Sequence, residues 1–287
     1  VQKQVFARLD ESGYIYETIE VRQAHLNDNV ARLAPLIKPN DIILSAAGDG
    51  SAHAIFHTVI AANQPGVELG FLGYGNFNDM PNTFNTKDSL RDPVSFLEQA
   101  QSERVYPISV FADGKPVRSA LLYATIGWTA TAASQFDDPK VRHSITHGGA
   151  GVIKSLWRTG LYYLTSRRGS VLPPFEEGSQ QYSGRTDIIC ANGPAVARII
   201  RTGKHYYREQ VFLYRTLDVR SVIKNIPFLL MSLCGRMKGR EVKKVVLRFA
   251  QPSQLPLQCD GEVAWLENVT TLEVRKADMP LRVLVTK

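Results

Sequence analysis

Asp41-Ile-Ile-Leu-Ser-Ala-Ala-Gly-Asp-Gly-Ser51 is a short apolar run entering a glycine turn, the pattern of a parallel strand buried on both faces that leads into a helix. Ala54, Ile55, Thr58, Val59 and Ala62 recur at helical spacing and predict that helix over 52–62, with Asn63-Gln-Pro-Gly66 as its stop. Residues 67–72 predict the next strand and complete a strand–helix–strand unit. Working outward, 15–21 alternates like a strand, and 27–37 sets Val30, Leu33, Leu36 and Ile37 on one helical face. Residues 1–104 therefore read as an α/β domain on an open, mainly parallel sheet.

Beyond Arg104 the texture changes. Residues 105–112 and 117–125 favour sheet and flank Asp113-Gly-Lys-Pro116, a hairpin turn by composition. Segments 185–191, 211–214, 242–249, 270–275 and 281–285 also favour sheet, while helical periodicity returns in 151–165, around Trp157, and in 219–233. Residues 105–287 are expected to form a mainly antiparallel, β-rich domain.

Hydrophobic residues at 44% and charged residues at 21% are ordinary values, so a sizeable core can be buried and disorder is not expected. The formal charge of +7 suits nucleic acid, an anionic membrane surface or a polyphosphate ligand. No basic platform interleaved with aromatics supports the first of these, so no nucleic-acid partner is expected. Arg215, Arg220, Lys224, Arg236, Lys238, Arg240, Lys243 and Lys244 flank the most apolar stretch, Ile226-Pro-Phe-Leu-Leu-Met-Ser-Leu-Cys234. That stretch is far shorter than the ~20 residues of a spanning helix. Val1-Gln-Lys-Gln opens no signal-like apolar run, although the numbering does not fix the native start, and the expected location is the cytoplasm, with contact at a membrane surface allowed. Cys190, Cys234 and Cys259 are odd in number and lack ligand-like spacing, which argues for free thiols over disulfides or zinc.

Three segments could carry chemistry. Ala47-Gly-Asp-Gly-Ser51 lies between strand and helix, where turn amides and a helix N-terminus can hold a phosphate; a tight turn that binds nothing has the same local features. Gly70-Phe-Leu-Gly-Tyr-Gly-Asn-Phe-Asn-Asp79 again follows a strand, and ligands of open parallel sheets collect outside strand carboxyl ends. Gln258-Cys-Asp-Gly-Glu262 reads by itself as a hairpin corner. His53 and His57 stand four apart on the helix without a third ligand, so no metal is assigned to them.

Together these segments resemble the diacylglycerol kinase catalytic-domain family, which includes sphingosine kinases, ceramide kinases and bacterial lipid kinases. The family's Gly-Gly-Asp-Gly-Thr is similar to Ala47-Gly-Asp-Gly-Ser51, its Pro-x-Gly-Thr-x-Asn-Asp to Gly73-Tyr-Gly-Asn-Phe-Asn-Asp79, and its late Asp-Gly-Glu stands intact at Asp260 to Glu262. Thr125-Ile-Gly-Trp128 and Ile189-Cys-Ala-Asn-Gly193 are smaller echoes. The resemblance implies an ATP- and Mg²⁺-dependent kinase with a lipid acceptor, active in a cleft between an N-terminal nucleotide domain and a C-terminal lipid domain. It implies that Ala47, Gly48, Asp49, Gly50, Ser51, Gly75 and Asn76 hold ATP with Asn78 and Asp79, and that Glu262 is the base for the acceptor hydroxyl. Asp260 and Asp49 are rivals for that role or for Mg²⁺. A homo-oligomer is compatible with this reading.

The sequence departs from the family at Ala47, Ser51, Gly73 and Asn76. It departs most at 206–214, where the family's acidic metal-linked pattern is replaced by Tyr-Tyr-Arg-Glu-Gln-Val-Phe-Leu-Tyr with Glu209 alone acidic. No residue there is assigned to a metal. Alternatives are a kinase of a soluble acceptor related to NAD kinase, which the intact Asp260-Gly-Glu262 disfavours, and a non-catalytic binding relative.

Overall fold

The computed structural model describes residues 2–22, 26–73, 79–86, 92–134, 171–196, 200–218, 231, 234–235 and 237–286. The expected helices at 151–165 and 219–233 lie almost wholly outside these residues, as do Gly75, Asn76 and Asn78. The chain divides into two compact units, Val1–Val105 with Met279–Lys287, and Tyr106–Asp278.

In chain order the first unit carries helices α1 (Gln2–Glu11) and α2 (Leu26–Leu33), strand β1 (Ile42–Ala47), α3 (Asp49–Ala62), β2 (Glu68–Gly73), α4 (Asp79–Thr83), α5 (Pro93–Gln99) and β3 (Gln101–Val105). Its sheet runs β1-β2-β16-β3, where β16 (Leu281–Val285) comes from the far end of the chain. β1 and β16 both lie parallel to β2, and β3 closes the edge antiparallel to β16. The sheet is thus mixed and mainly parallel. Leu281–Val285, expected in the β-rich domain, belongs here instead. A short apolar strand carries no mark of which sheet it will join, because only the tertiary pairing decides that.

Leu69, Phe71 and Phe56 are fully buried, with the Phe71 and Phe84 rings stacked at 5.6 Å, so β2 is covered by helices. Each such side chain contributes about 1.5–3 kcal/mol of burial. A Cβ on Gly70 would stand 2.7 Å from Leu44 Cδ2 and 3.2 Å from Phe96 Cε1, so the glycine lets α5 seat against the sheet. Asp92 starts α5 by accepting from Ser95 N at 3.1 Å and pairs with Arg8 at 2.9 Å. Two expectations change. Residues 15–21 form no strand, because alternation without a neighbouring strand leaves the backbone unpaired, and Ile15 and Ile19 stay exposed. The helix expected from residue 52 begins at Asp49, three residues earlier.

The second unit holds β4 (Ile108–Ala112), β5 (Lys115–Ala120), β6 (Tyr123–Gly127), α6 (Trp128–Ser134), β7 (Phe175–Glu177), β8 (Gln180–Tyr182), β9 (Asp187–Ala191), the small pair β10 (Ala195–Val196) and β11 (Ile200–Arg201), β12 (Phe212–Leu217), β13 (Arg240–Val242), β14 (Lys244–Cys259) and β15 (Glu262–Lys276). Its large sheet runs β13-β12-β9-β6-β14-β15-β4-β5, antiparallel throughout, with β7 added to β14 and β8 to β7. β5 lies at one end of this order yet runs directly into β6 across Leu121 and Leu122, so the sheet curls back on itself. Register shifts in the β14–β15 hairpin between Arg248 and Leu255 supply the bend. Ile126, Ile188, Cys190, Phe212, Leu247, Leu257 and Leu272 pack inside the curl. Cys190 and Cys259 are buried free thiols, and Cys234 is exposed.

Candidate active site

Parallel pairing sets Ala47 opposite Gly73, so β1 and β2 end side by side. Gly48 is the N-cap of α3, extended at φ −75° and ψ 174°, with no side-chain cap. The first helical bond of this turn is Ala52 N to Gly48 O at 3.0 Å. The N–H groups of Asp49, Gly50 and Ser51 therefore precede the helical ladder, and they are the donors that an anion meets at a helix N-terminus.

Asp49 Oδ1 accepts the backbone N–H of Asp79 at 2.9 Å. Asp79 is the first residue of α4, so one carboxylate in the first turn fixes the start of the helix that follows the second. Met80 anchors α4 from below at 1% exposure. His53 is buried with its ring 4.5 Å from His57, and among the described residues no group of three or more His, Cys, Asp or Glu could hold a metal ion.

In the second unit, Asp260 and Gly261 join β14 to β15 as a two-residue hairpin turn, both at positive φ, 50° and 98°. This is the geometry that an Asp-Gly pair favours, since its twist matches that of the flanking strands. Asp260 is 4% exposed. Its Oδ2 accepts from Leu121 N at 2.6 Å, and its Oδ1 accepts from Leu122 N and Tyr123 N at 2.9 Å each. Asp260 N in turn donates to Tyr123 O at 3.1 Å. The carboxylate is an anchor for the β5–β6 corner, with both oxygens engaged. Glu262 follows as the first residue of β15, partly exposed, paired across the strand with Cys259.

Of the two smaller echoes, 189–193 meets this corner through Asn192, and 125–128 lies at the other end of β6. Gly127, at φ 107°, runs so close to the neighbouring chain that a Cβ would stand 2.3 Å from Thr186 O. Asn192 Nδ2 donates to Leu121 O at 2.6 Å and to Tyr106 O at 2.9 Å.

Two residues in this unit escape the motifs. Asp187 is 1% exposed; its Oδ2 accepts from Thr129 N at 3.2 Å and from the Thr129 hydroxyl, while Oδ1 has no partner. Burial pushes its carboxyl up to about 8, against the hydrogen bonds from Thr129 and Ile188. Lys276 is 5% exposed, and burial lowers its ammonium to about 7, partly opposed by Glu209. A signal for Lys276 exists, because it stands on the inward side of the alternation Leu272, Val274, Lys276.

The basic cluster is partly committed within the fold: Arg240 pairs with Glu177, Lys244 with Glu273 at 2.8 Å, and Arg215 donates to Lys238 O. Among the described residues no helix is long and apolar enough to cross a membrane. At the most divergent stretch, Tyr206–Arg208 form a 3₁₀ turn and Glu209 is exposed.

β1 and β2 thus end side by side, and Asp49 at the start of α3 holds the N–H of Asp79 at the start of α4. Residues 1–111 match the family model of the diacylglycerol kinase catalytic domain. The resemblance read from Gly48-Asp49-Gly50 and Asp79 is borne out over that span. Among curated proteins none matches the chain. Solved structures share the fold: a provisionally named diacylglycerol kinase from Bacillus anthracis strain Sterne superposes in two structures with TM-scores of 0.61 and 0.60, each at 14% identity over 99% of this chain and 90% of that one. A third structure, of a diacylglycerol kinase from the same strain, gives 0.56 at 11% identity over the same shares. At such identities the likeness is one of fold, and it extends through the β-rich unit.

Proposed function

We propose that the protein is an ATP-dependent lipid kinase that transfers the γ-phosphoryl group to a lipid hydroxyl. The observation that carries this reading is the diacylglycerol kinase match over 1–111, within which Asp49 at the start of α3 accepts the N–H of Asp79 at the start of α4. In this reading the amides of Asp49, Gly50 and Ser51 receive the phosphates. Mg²⁺ would be held beside these phosphates by the Asp49 carboxylate, since the ion takes one or two carboxylates together with phosphate oxygens. When bound it would neutralise charge on the triphosphate.

Glu262 is the proposed base. Asp260, with both oxygens given to backbone N–H groups, serves instead to hold Glu262's turn. The Glu262 carboxylate orients the acceptor O–H and takes its proton as the new O–P bond forms; the β–γ bridging bond breaks and ADP leaves. The proposal requires this turn to reach the nucleotide held by the first unit. Contact with an anionic membrane surface through basic residues is part of the same proposal.

Glu262→Gln tests it. Against diacylglycerol, monoacylglycerol, sphingosine and ceramide presented with labelled ATP, turnover on the accepted lipid should fall by about 10²–10⁴-fold with nucleotide affinity retained. Unchanged turnover removes Glu262 from the role, and a wild-type protein that phosphorylates no lipid while binding one favours a non-catalytic relative.

A further inference from the structure

An extended strand of the length of β15 would hold its ends about 45 Å apart. In this fold a short chain of hydrogen bonds connects them. Lys276, at the end of β15, uses three acceptors for its three ammonium hydrogens: Tyr106 O at 3.0 Å, Tyr206 O at 2.8 Å and Asn192 Oδ1. Asn192 passes the linkage on through Nδ2 to Leu121 O at 2.6 Å, and its backbone N donates to Leu122 O at 2.7 Å. Leu121 and Leu122 then give their own N–H groups to Asp260, two residues before Glu262. The β5–β6 corner is clamped between Asn192 on its carbonyl side and Asp260 on its amide side.

An apolar side chain would fit the inward position of Lys276 at lower cost, because a buried ammonium must recover its lost hydration. Here the cost is offset by oxygens from three separate segments, which a hydrocarbon could not tie together. The depressed ammonium pKa reports the same desolvation.

We propose that Lys276, acting through Asn192, is a positioning residue for Glu262: it locks the curled β14–β15 hairpin so that the Asp260-Gly261 turn presents Glu262 in one fixed place. The proposal rests on the kinase reading for its catalytic consequence and on geometry alone for its structural one, so the experiment has two arms.

The first arm is hydrogen exchange of the free protein. Lys276→Met and Asn192→Asp both interrupt the chain; the second is isosteric and keeps an acceptor for Lys276, but replaces the donor to Leu121 O and Tyr106 O by a charged carboxylate oxygen that repels both. Each should speed exchange of the amides of 121–123 and 259–262 by about tenfold or more while β9 and β12 amides stay protected. The double variant should do no more than the stronger single one, since both cut the same chain. The second arm is turnover, where kcat should fall at least about tenfold with KM for ATP unchanged. Unchanged exchange at 121–123 and 259–262 in Asn192→Asp, or a uniform increase across the unit, overturns the proposal. Altered local exchange in the variants, with a wild-type protein that phosphorylates no lipid, sinks the kinase reading and leaves the lock standing.

Discussion

Asp49-Gly50 and Asp260-Gly261 carry the same two residue types, and in both the aspartate accepts backbone N–H groups from a distant segment. Asp49 takes one N–H, from Asp79, and sits in the first turn of α3. Asp260 takes three, from Leu121, Leu122 and Tyr123, and sits in a left-handed hairpin turn. In the first turn the N–H groups of Asp49, Gly50 and Ser51 precede the helical ladder. The second spends its carboxylate on the fold, holding the β5–β6 corner. An identical dipeptide therefore says little about role; what the aspartate oxygens touch decides it.

The largest effect that would break this contrast comes from Asp260→Ala. Three buried N–H groups would lose their acceptor, at about 1–3 kcal/mol each before relaxation. Denaturant unfolding should show a loss of at least about 3 kcal/mol. A loss below about 1 kcal/mol would mean that the anchor is dispensable and that Asp260 is available for chemistry after all.

The contrast was only partly legible beforehand. The strand–helix–strand unit around Ala47-Gly-Asp-Gly-Ser51 was readable because a buried parallel strand and a glycine turn leave a local pattern. The hairpin at Asp113-Gly114 and the corner at Asp260-Gly261 were readable because Asp-Gly has a turn preference of its own. Local pattern could not assign Leu281–Val285 to the first sheet, nor show that 15–21 lacks a partner, since both depend on which strand lies alongside. The candidate residues were found by motif, but the separation of Asp260 from Glu262 was not, because it depends on the Leu121–Tyr123 corner more than a hundred residues away. Asp187 stayed hidden because a single ionisable residue in a strand looks the same whether it faces solvent or core, whereas the alternation Leu272, Val274, Lys276 does mark Lys276 as inward.

A paired glycine substitution sharpens the comparison at a smaller scale. Gly261 has φ 98°, so Gly261→Ala should cost about 1–2 kcal/mol of stability through backbone strain alone, since a Cβ there meets nothing nearer than Tyr123 Oη at 4.0 Å. Gly50 lies inside α3, where Gly50→Ala should raise stability by about 0.5–1 kcal/mol. If the first turn binds phosphate, the same change should weaken ATP binding as the added methyl group limits close approach. Calorimetric titration with ATP and thermal unfolding of both variants give the two readings. Equal stability losses would erase the distinction between the turns, and unaltered ATP affinity in Gly50→Ala would count against the phosphate cradle.

Asp187 is another carboxylate that accepts a backbone N–H, and it differs from Asp260 in having one oxygen without a partner among the described residues. Its folded value near 8 lies above the unfolded aspartate value of 3.8, so between these the folded state holds a proton that the unfolded state has released. Its contribution to stability is therefore full below about pH 4 and is lost as pH rises towards 8. Asp187→Asn removes the titration while keeping an acceptor for Thr129 N. The variant's stability relative to wild type should climb with pH through this window, by at most about 1.4 kcal/mol per pH unit, and level off above it. Unfolding measured at pH 5, 6, 7, 8 and 9, all of them settings chosen about that window, gives the slope. A flat difference would mean that Asp187 is ionised in the fold, with its second oxygen solvated. In that case the number of N–H groups received, and not the presence of a bare oxygen, is what separates Asp260 from the other carboxylates.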